Sequence, residues 1–249
     1  MIKIFQKTRY ALIKKNSLTG RTGNTRKYLK YAFGEILLVV LGILIALQIS
    51  NWNQNRKKYN KETSILVTIH KEFKDNKTQL ERVVKTHQIA LLNCAKIIDL
   101  FPIKTKPKPQ ILDSLSIYLW ESYGGYTFDP SQTSINALSS TSSFDIISNI
   151  TLRDLLISWN DLIKDYQEEE RTSKEFTINQ YNGYLSKHFD FRFNFKDPRN
   201  NMKALQSLEF EFLIKNKYDL TDQILHSSGE LKTLRENLNK IIELSDAKN

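Results

Sequence analysis

His87 and Cys94 are the two side chains here whose types and spacing come nearest to metal or proton chemistry. They lie seven residues apart, on one face of a helix. A zinc site needs three or four ligands, and Cys94 is the single cysteine. The pair therefore reads as a histidine and a thiol packed into a core. His70 and Glu72 do not form H-E-x-x-H, and no G-x-S-x-G, D-x-D-x-D-G or C-x-x-C-H run occurs. Asp165 and the run Glu168, Glu169, Glu170 are acidic and sit on a polar helix face, where a solvated run is the default reading. Gly20-Arg-Thr-Gly-Asn-Thr-Arg-Lys27 lacks the spacing of a phosphate loop, and no strand precedes it. The expectation is a protein without catalytic residues, cofactor or metal.

Glu35 is informative in another way. It falls inside an apolar stretch, where an ionisable group costs roughly 2.5–3.5 kcal/mol at the centre of a bilayer and less near its surface. Such a group snorkels to water or faces protein. At about 100° per residue, Glu35, Leu38, Gly42, Ala46 and Ser50 fall on one stripe. Gly42-Ile-Leu-Ile-Ala46 is a small-xxx-small pattern that lets helix backbones approach. The stripe is expected to be a transmembrane interface with a second copy or a multispan membrane protein.

The stretch itself runs from Tyr31 to Trp52, uncharged from Ile36 onward. As a helix it is about 33 Å long at about 1.5 Å per residue, enough to cross a hydrocarbon core. Tyr28, Tyr31 and Trp52 stand where interfacial aromatic anchors stand, and Lys27 and Lys30 flank them. The run is longer than a signal-peptide core and ends without a small-x-small site, so it reads as an uncleaved signal anchor in contact with membrane lipids.

Charge supports that placement. The chain has 249 residues, 37 Lys+Arg, 27 Asp+Glu and a net charge of +10. Residues 1–55 carry +8 of this, and the remainder is nearly neutral. A basic face for nucleic acid is therefore not expected. Nine basic residues before the span against four just after it, Arg56, Lys57, Lys58 and Lys61, favour a cytoplasmic N-terminus.

Met1-Ile-Lys-Ile-Phe, Tyr28-Leu-Lys-Tyr-Ala-Phe-Gly-Glu-Ile and Gly42-Ile-Leu-Ile-Ala-Leu-Gln-Ile-Ser-Asn-Trp-Asn resemble the opening of a Bacteroidota family of single-span membrane proteins of unknown function. A later echo is Phe144-Asp-Ile-Ile-Ser-Asn followed by Leu152-Arg-Asp-Leu-Leu. Family members usually read Asn-Asn-Trp-Asn where this chain has Ser50-Asn-Trp-Asn. The resemblance implies a Gram-negative inner membrane and a Bacteroidota source. It implies no activity.

The elements needed to carry these residues are almost all helical. Residues 1–30 are expected to be a cytoplasmic segment, opening with a basic amphipathic helix over Met1–Asn16 and a glycine link. Residues 31–52 form the transmembrane helix, and 53–100 a stalk and first bundle helix, with Ile69, Phe73, Leu80, Val83, Val84, His87, Leu91, Cys94 and Ile98 on its inner face. Residues 101–249 form the rest of a periplasmic helical domain, after a break at Phe101-Pro-Ile-Lys-Thr-Lys-Pro-Lys-Pro. A short helix over 111–121 follows, and Asp129-Pro130 reads as another helix start. Thr151 to Asp154 opens the helix with Leu152, Leu155, Leu156, Trp159, Leu162, Ile163 and Tyr166 on one face, continuing toward Leu185. The last third carries Leu231, Leu234, Leu238 and Ile241 beyond a break at Gly229. His188-Phe-Asp-Phe-Arg-Phe-Asn-Phe-Lys196 alternates with a period of two. It is either a strand pairing with Tyr126–Phe128 in one short hairpin, or an extended connection whose phenylalanines plug the bundle.

The fold expected is all-α: one transmembrane helix continuing into a helical bundle. The function expected is an inner-membrane-anchored, non-enzymatic scaffold or accessory subunit of a cell-envelope complex, associating through its span as a homo-oligomer or with a multispan partner. The alternative is a periplasmic ligand-sensing bundle without a cytoplasmic transmitter.

Overall fold

The computed structural model describes residues 25–104 and 107–246. Residues 1–24, on which the amphipathic segment and glycine link were read, lie outside them. So do the side chains of Lys27, Tyr28 and Lys30. Among the described residues the fold is all-helical, with no strand. The α-helices are α1 (Thr25–Ile98), α2 (Pro109–Glu121), α3 (Thr133–Ser140), α4 (Ile150–Phe176), α5 (Asn182–His188), α6 (Leu208–Asp222) and α7 (Glu230–Leu244). The chain divides into two units at Asn60/Lys61, and α1 contributes residues to both.

In the first unit the apolar residues of α1 are exposed, from Tyr31 through Trp52. The helix is long and apolar enough there to cross a membrane, and none of its most apolar window is buried.

The second unit is the bundle. Helix α4 packs on α6 and α7, and α1 reaches α4 through Phe73, whose ring centroid lies 4.8 Å from that of Trp159. The inner stripes form as the three-and-four spacing requires: Ile69, Phe73, Leu80 and Val84 on α1, Leu152, Leu156, Trp159, Ile163 and Tyr166 on α4, and Leu231, Leu234, Leu238 and Ile241 on α7 are buried. The core falls into two apolar clusters. One gathers these residues with Ile224 and Leu225. The other gathers Cys94 and Ile97 of α1, Leu115 and Leu119 of α2, Tyr181, Tyr184, Phe189, Phe193, and Phe210, Leu213 and Ile214 of α6.

Several helix starts differ from the sequence expectation. Helix α3 begins at Thr133 rather than at Asp129-Pro130, because its first turn is capped from α1. The Glu72 carboxylate accepts from Ser134 N (2.9 Å), the Ser134 hydroxyl and the Ser131 hydroxyl (2.9 Å). Helix α4 is capped two residues before the expected Thr151–Asp154 box, by Asn149, whose Oδ1 accepts from Leu152 N at 3.0 Å. Beyond Phe176 the helix continues as a π-turn, Thr177–Tyr181, into α5. A second π-turn, Gln223–Ser227, extends α6, and Gly229 at φ 79° stops it before α7.

The short hairpin does not form, for a specific reason. Phe128 spends its backbone groups on α4 side chains: its N–H donates to Glu170 Oε2 (2.8 Å), and its carbonyl accepts from Gln167 Nε2 (2.7 Å). Residues 189–201 are instead folded around Asp190. Its carboxylate accepts from Arg192 N (3.0 Å), Asn194 N (2.7 Å) and Asn200 Nδ2 (2.8 Å). Phe193 takes a left-handed φ of 51°, which ends the alternation. Phe189 and Phe193 are buried, whereas Phe191 is 80 % exposed, so these rings do not share a strand face. They plug the bundle from a turn.

Candidate functional site

Glu35, Leu38, Gly42, Ala46 and Ser50 are all exposed or open on α1, and a Cβ added at Gly42 would meet nothing within 4 Å. Helical geometry keeps the five within a single arc of about 120°. Tyr31 and Trp52 are exposed at the two ends of the stretch, and Arg56 lies over the Trp52 ring at 5.7 Å.

Within the bundle, three helices change character at one level. Along α1, Val83 and Val84 give way to His87 and then to Ala90 and Cys94. Along α4, Ile163 and Tyr166 give way to Glu170 and Ser173 and then Phe176. Along α6, Leu213 and Ile214 give way to Lys217 and Thr221, and the following turn returns to Ile224. All of these polar residues are buried, and they lie between the two apolar clusters.

Burial makes their pairing obligatory. His87 Nε2 donates to Glu170 Oε1 at 3.2 Å, and the second Glu170 oxygen accepts from Phe128 N. Lys217 Nζ donates to Thr177 Oγ1 (2.8 Å) and Ser173 Oγ (3.3 Å), with no carboxylate as partner among the described residues. Burial holds its pKa down at about 8. The Cys94 thiol is pushed up to about 12 by burial, with the Lys217 charge opposing. A reactive cysteine needs the opposite environment, so Cys94 is an inert core thiol. Tyr166 is raised by burial and by the neighbouring Glu170 carboxylate. Tyr181, raised by burial, shares a 2.8 Å hydrogen bond with Ser122.

The expectation for His87 and Cys94 as core residues therefore holds. The expectation for Glu170 as part of a solvated acidic run does not. Glu170 lies four residues after Tyr166 and seven after Ile163, on the buried stripe of α4, and Lys217 lies four after Leu213 on that of α6. A charge at a stripe position was the available signal. Among the described residues, no group of three or more His, Cys, Asp and Glu side chains is placed to hold a metal ion.

Above this layer opens a cleft of about 980 Å³, bounded by Thr86 and Ile89 of α1, Trp120 and Glu121 of α2, Tyr123, Gly124 and Tyr126, the π-turn at Ile178, Asn182 and Ser186 of α5, and Phe189, Asp190, Phe191 and Phe193. Gly124 links the cleft to the polar layer. Its φ is 57°, and a Cβ there would stand 3.2 Å from Ala90 Cβ and 3.9 Å from both His87 Nδ1 and Lys217 Nζ. The left-handed φ and the tight approach to Ala90 favour glycine at this position. Nothing in the spacing of the sequence brings Gly124 against Ala90, His87 and Lys217.

No curated protein and no solved structure matches the chain. A family of unknown function, DUF6090, matches residues 35–173, which includes the Phe144–Asn149 and Leu152–Leu156 segments and one wall of the cleft, but not Phe189–Phe193 or Lys217. With more than half of its 249 residues matched, the chain belongs to DUF6090, a family of unknown function.

Proposed function

We propose that this protein is an inner-membrane-anchored, non-enzymatic scaffold or accessory subunit of a cell-envelope complex, associating through residues 31–52 as a homo-oligomer or with a multispan partner. The observation that carries the reading is the bare apolar stretch of α1, exposed throughout, with a carboxylate and small residues on one side. The Bacteroidota source and the inner membrane come from the resemblance in the opening residues. The periplasmic placement of the bundle comes from the charge bias flanking the span.

The test is crosslinking and co-purification from native membranes in mild detergent. Gly42→Ile, which blocks close helix approach, is expected to lose the association, while Leu44→Ile, away from the stripe, keeps it. Retention of every partner and of the oligomeric state by Gly42→Ile would reduce the stripe to an anchor. An active alkaline phosphatase fused after Asn249 is the expected result for orientation, and an inactive one reverses it.

The cleft favours a second reading, a ligand-binding bundle outside the membrane. Trp120, Tyr126, Ile178 and Phe191 are each more than half exposed around one concave opening, an apolar grouping that a folded chain keeps at a cost in solubility. Saturation-transfer NMR of the detergent-solubilised protein against a set of periplasmic metabolites tests it. Signals quenched by Phe191→Ser are expected, and no signal from any class of compound would count against it.

A further inference from the structure

We propose that the aromatic cleft of the bundle binds a small organic cation of the alkylammonium or quaternary ammonium class. This inference rests on the ligand-binding reading and names the ligand chemistry for it. Trp120 and Phe191 form two walls: their centroids are 5.4 Å apart, their planes meet at 88°, and both rings are more than half exposed. Tyr123 continues the enclosure, 6.4 Å from Trp120 and 6.3 Å from Phe193. The two rings meet edge to face, yet each keeps more than half of its surface exposed at the opening, and an exposed aromatic face attracts a diffuse positive charge shielded by methyl groups.

Charge points the same way. The chain carries +10, yet among the described residues no Lys, Arg or His lines the cleft, whereas Glu121 and Asp190 do. Glu121 is exposed and makes no ion pair among the described residues. The hydrogen bonds from Asn200 and from Arg192 N and Asn194 N hold the Asp190 carboxyl below the usual carboxylate range, so it keeps its charge. Lys217 lies beneath Gly124, is 2 % exposed, and does not line the cleft. An anionic or acyl ligand would meet two carboxylates with no cation to oppose them. An organic cation meets carboxylates and ring faces together.

The loop is also fixed in advance. The Asp190 carboxylate and the Asn200 amide gather the backbone of 190–200, and the left-handed Phe193 turns its ring into the core while Phe191 stays out. A wall held in place without ligand loses little freedom on binding.

The experiment uses the full chain in maltoside micelles, which contain no ammonium headgroup. Choline and its uncharged isostere 3,3-dimethylbutan-1-ol are titrated in parallel and followed by saturation-transfer NMR. Choline is expected to bind at least about tenfold more tightly than the isostere, and Phe191→Ala or Trp120→Ala to remove at least about tenfold in affinity. Glu121→Gln is expected to weaken binding about threefold, and added salt to weaken it further. Phe191 is 80 % exposed, so its truncation leaves the fold intact, as circular dichroism will verify. Equal binding of choline and the isostere overturns the proposal, as does absence of choline binding, or choline binding that survives Phe191→Ala. Binding of an uncharged sugar with choline inert would overturn it too, while leaving the ligand-binding reading in place.

Discussion

The two apolar clusters of the bundle are built differently. The first is made mainly by three long helical segments, from Ile69 to Val84, Leu152 to Tyr166 and Leu231 to Ile241, each contributing a regular stripe, with Ile224 and Leu225 of the second π-turn and Phe128 and Ile147 of the connections added to them. The second takes Cys94 and Ile97 from the end of α1, then depends on a π-turn, a short helix, and phenylalanines presented by a turn. Its aromatic hydroxyls are tied down individually: Tyr184 Oη donates to the Ala204 carbonyl at 2.9 Å, and Tyr181 pairs with Ser122. The cleft opens at this second cluster. Regular packing closes a surface, whereas packing assembled from turns leaves room between its pieces.

The comparison is broken most severely by Trp159→Ala. Trp159 is fully buried in the first cluster against Phe73, and its truncation should cost about 3–5 kcal/mol. Denaturant titration of the full chain measures this; a cost below about 1 kcal/mol would mean that the first cluster is not tightly packed. Next in size is the layer between the clusters. Glu170→Ala leaves both His87 Nε2 and Phe128 N without an acceptor, each costing about 1–3 kcal/mol, so a total of about 2–6 kcal/mol is expected. Glu170→Gln keeps an acceptor for Phe128 N and should lose less than half as much in the same titration.

The first cluster was legible because its stripes repeat. Leu152, Leu156, Trp159, Ile163 and Tyr166 announce α4 from spacing alone, and the break at Gly229 was marked by the residue itself. The polar layer was only half legible. His87 was read as core, but Glu170 was assigned to solvent because Glu168 and Glu169 precede it in one acidic run. Composition of a run says nothing about which member faces inward; the seven-residue step from Ile163 does. The cleft was not legible at all. It depends on the Asn200 amide reaching Asp190 and on a left-handed Phe193, contacts that no period encodes. The alternation of Phe189 to Phe195 even pointed to a strand, and local side-chain hydrogen bonds to the backbone overrode it.

Lys217 sharpens the comparison in the opposite direction, since removing it should stabilise. An unfolded lysine holds its proton to about pH 10.5, whereas the buried one releases it at about 8. Between these values the unfolded chain binds more protons, so stability rises with pH. Cys94 acts in reverse: its proton is held to about 12 in the fold against 9.0 ordinarily, so stability falls above 9. The lysine contribution is therefore isolated between about pH 8 and 9. Lys217→Met should flatten the rise in that window and stabilise the protein at pH 7, by at most about 3 kcal/mol from a shift of this size. Thr177 Oγ1 then still donates to the Ser173 carbonyl at 2.7 Å. Equal pH slopes for the parent and Lys217→Met would show that the lysine is charged in the fold throughout.

The smallest effect separates backbone strain from packing in the second cluster. Phe193 is 3 % exposed and holds φ at 51°, where a side chain with a Cβ costs about 1–2 kcal/mol relative to glycine. Phe193→Ala removes the ring and keeps the strain. Phe193→Gly removes the ring and relieves it, at the cost of a more flexible unfolded chain. If the left-handed turn is imposed by the Asp190 and Asn200 hydrogen bonds, Gly should be the less damaging of the two by about 0.5–1 kcal/mol, although it deletes more atoms. Denaturant midpoints of the two variants at equal slope give the difference directly. If Ala proves the milder change, the turn is held by the Phe193 ring in its pocket, and the cleft wall at Phe191 is fixed by packing rather than by the polar loop.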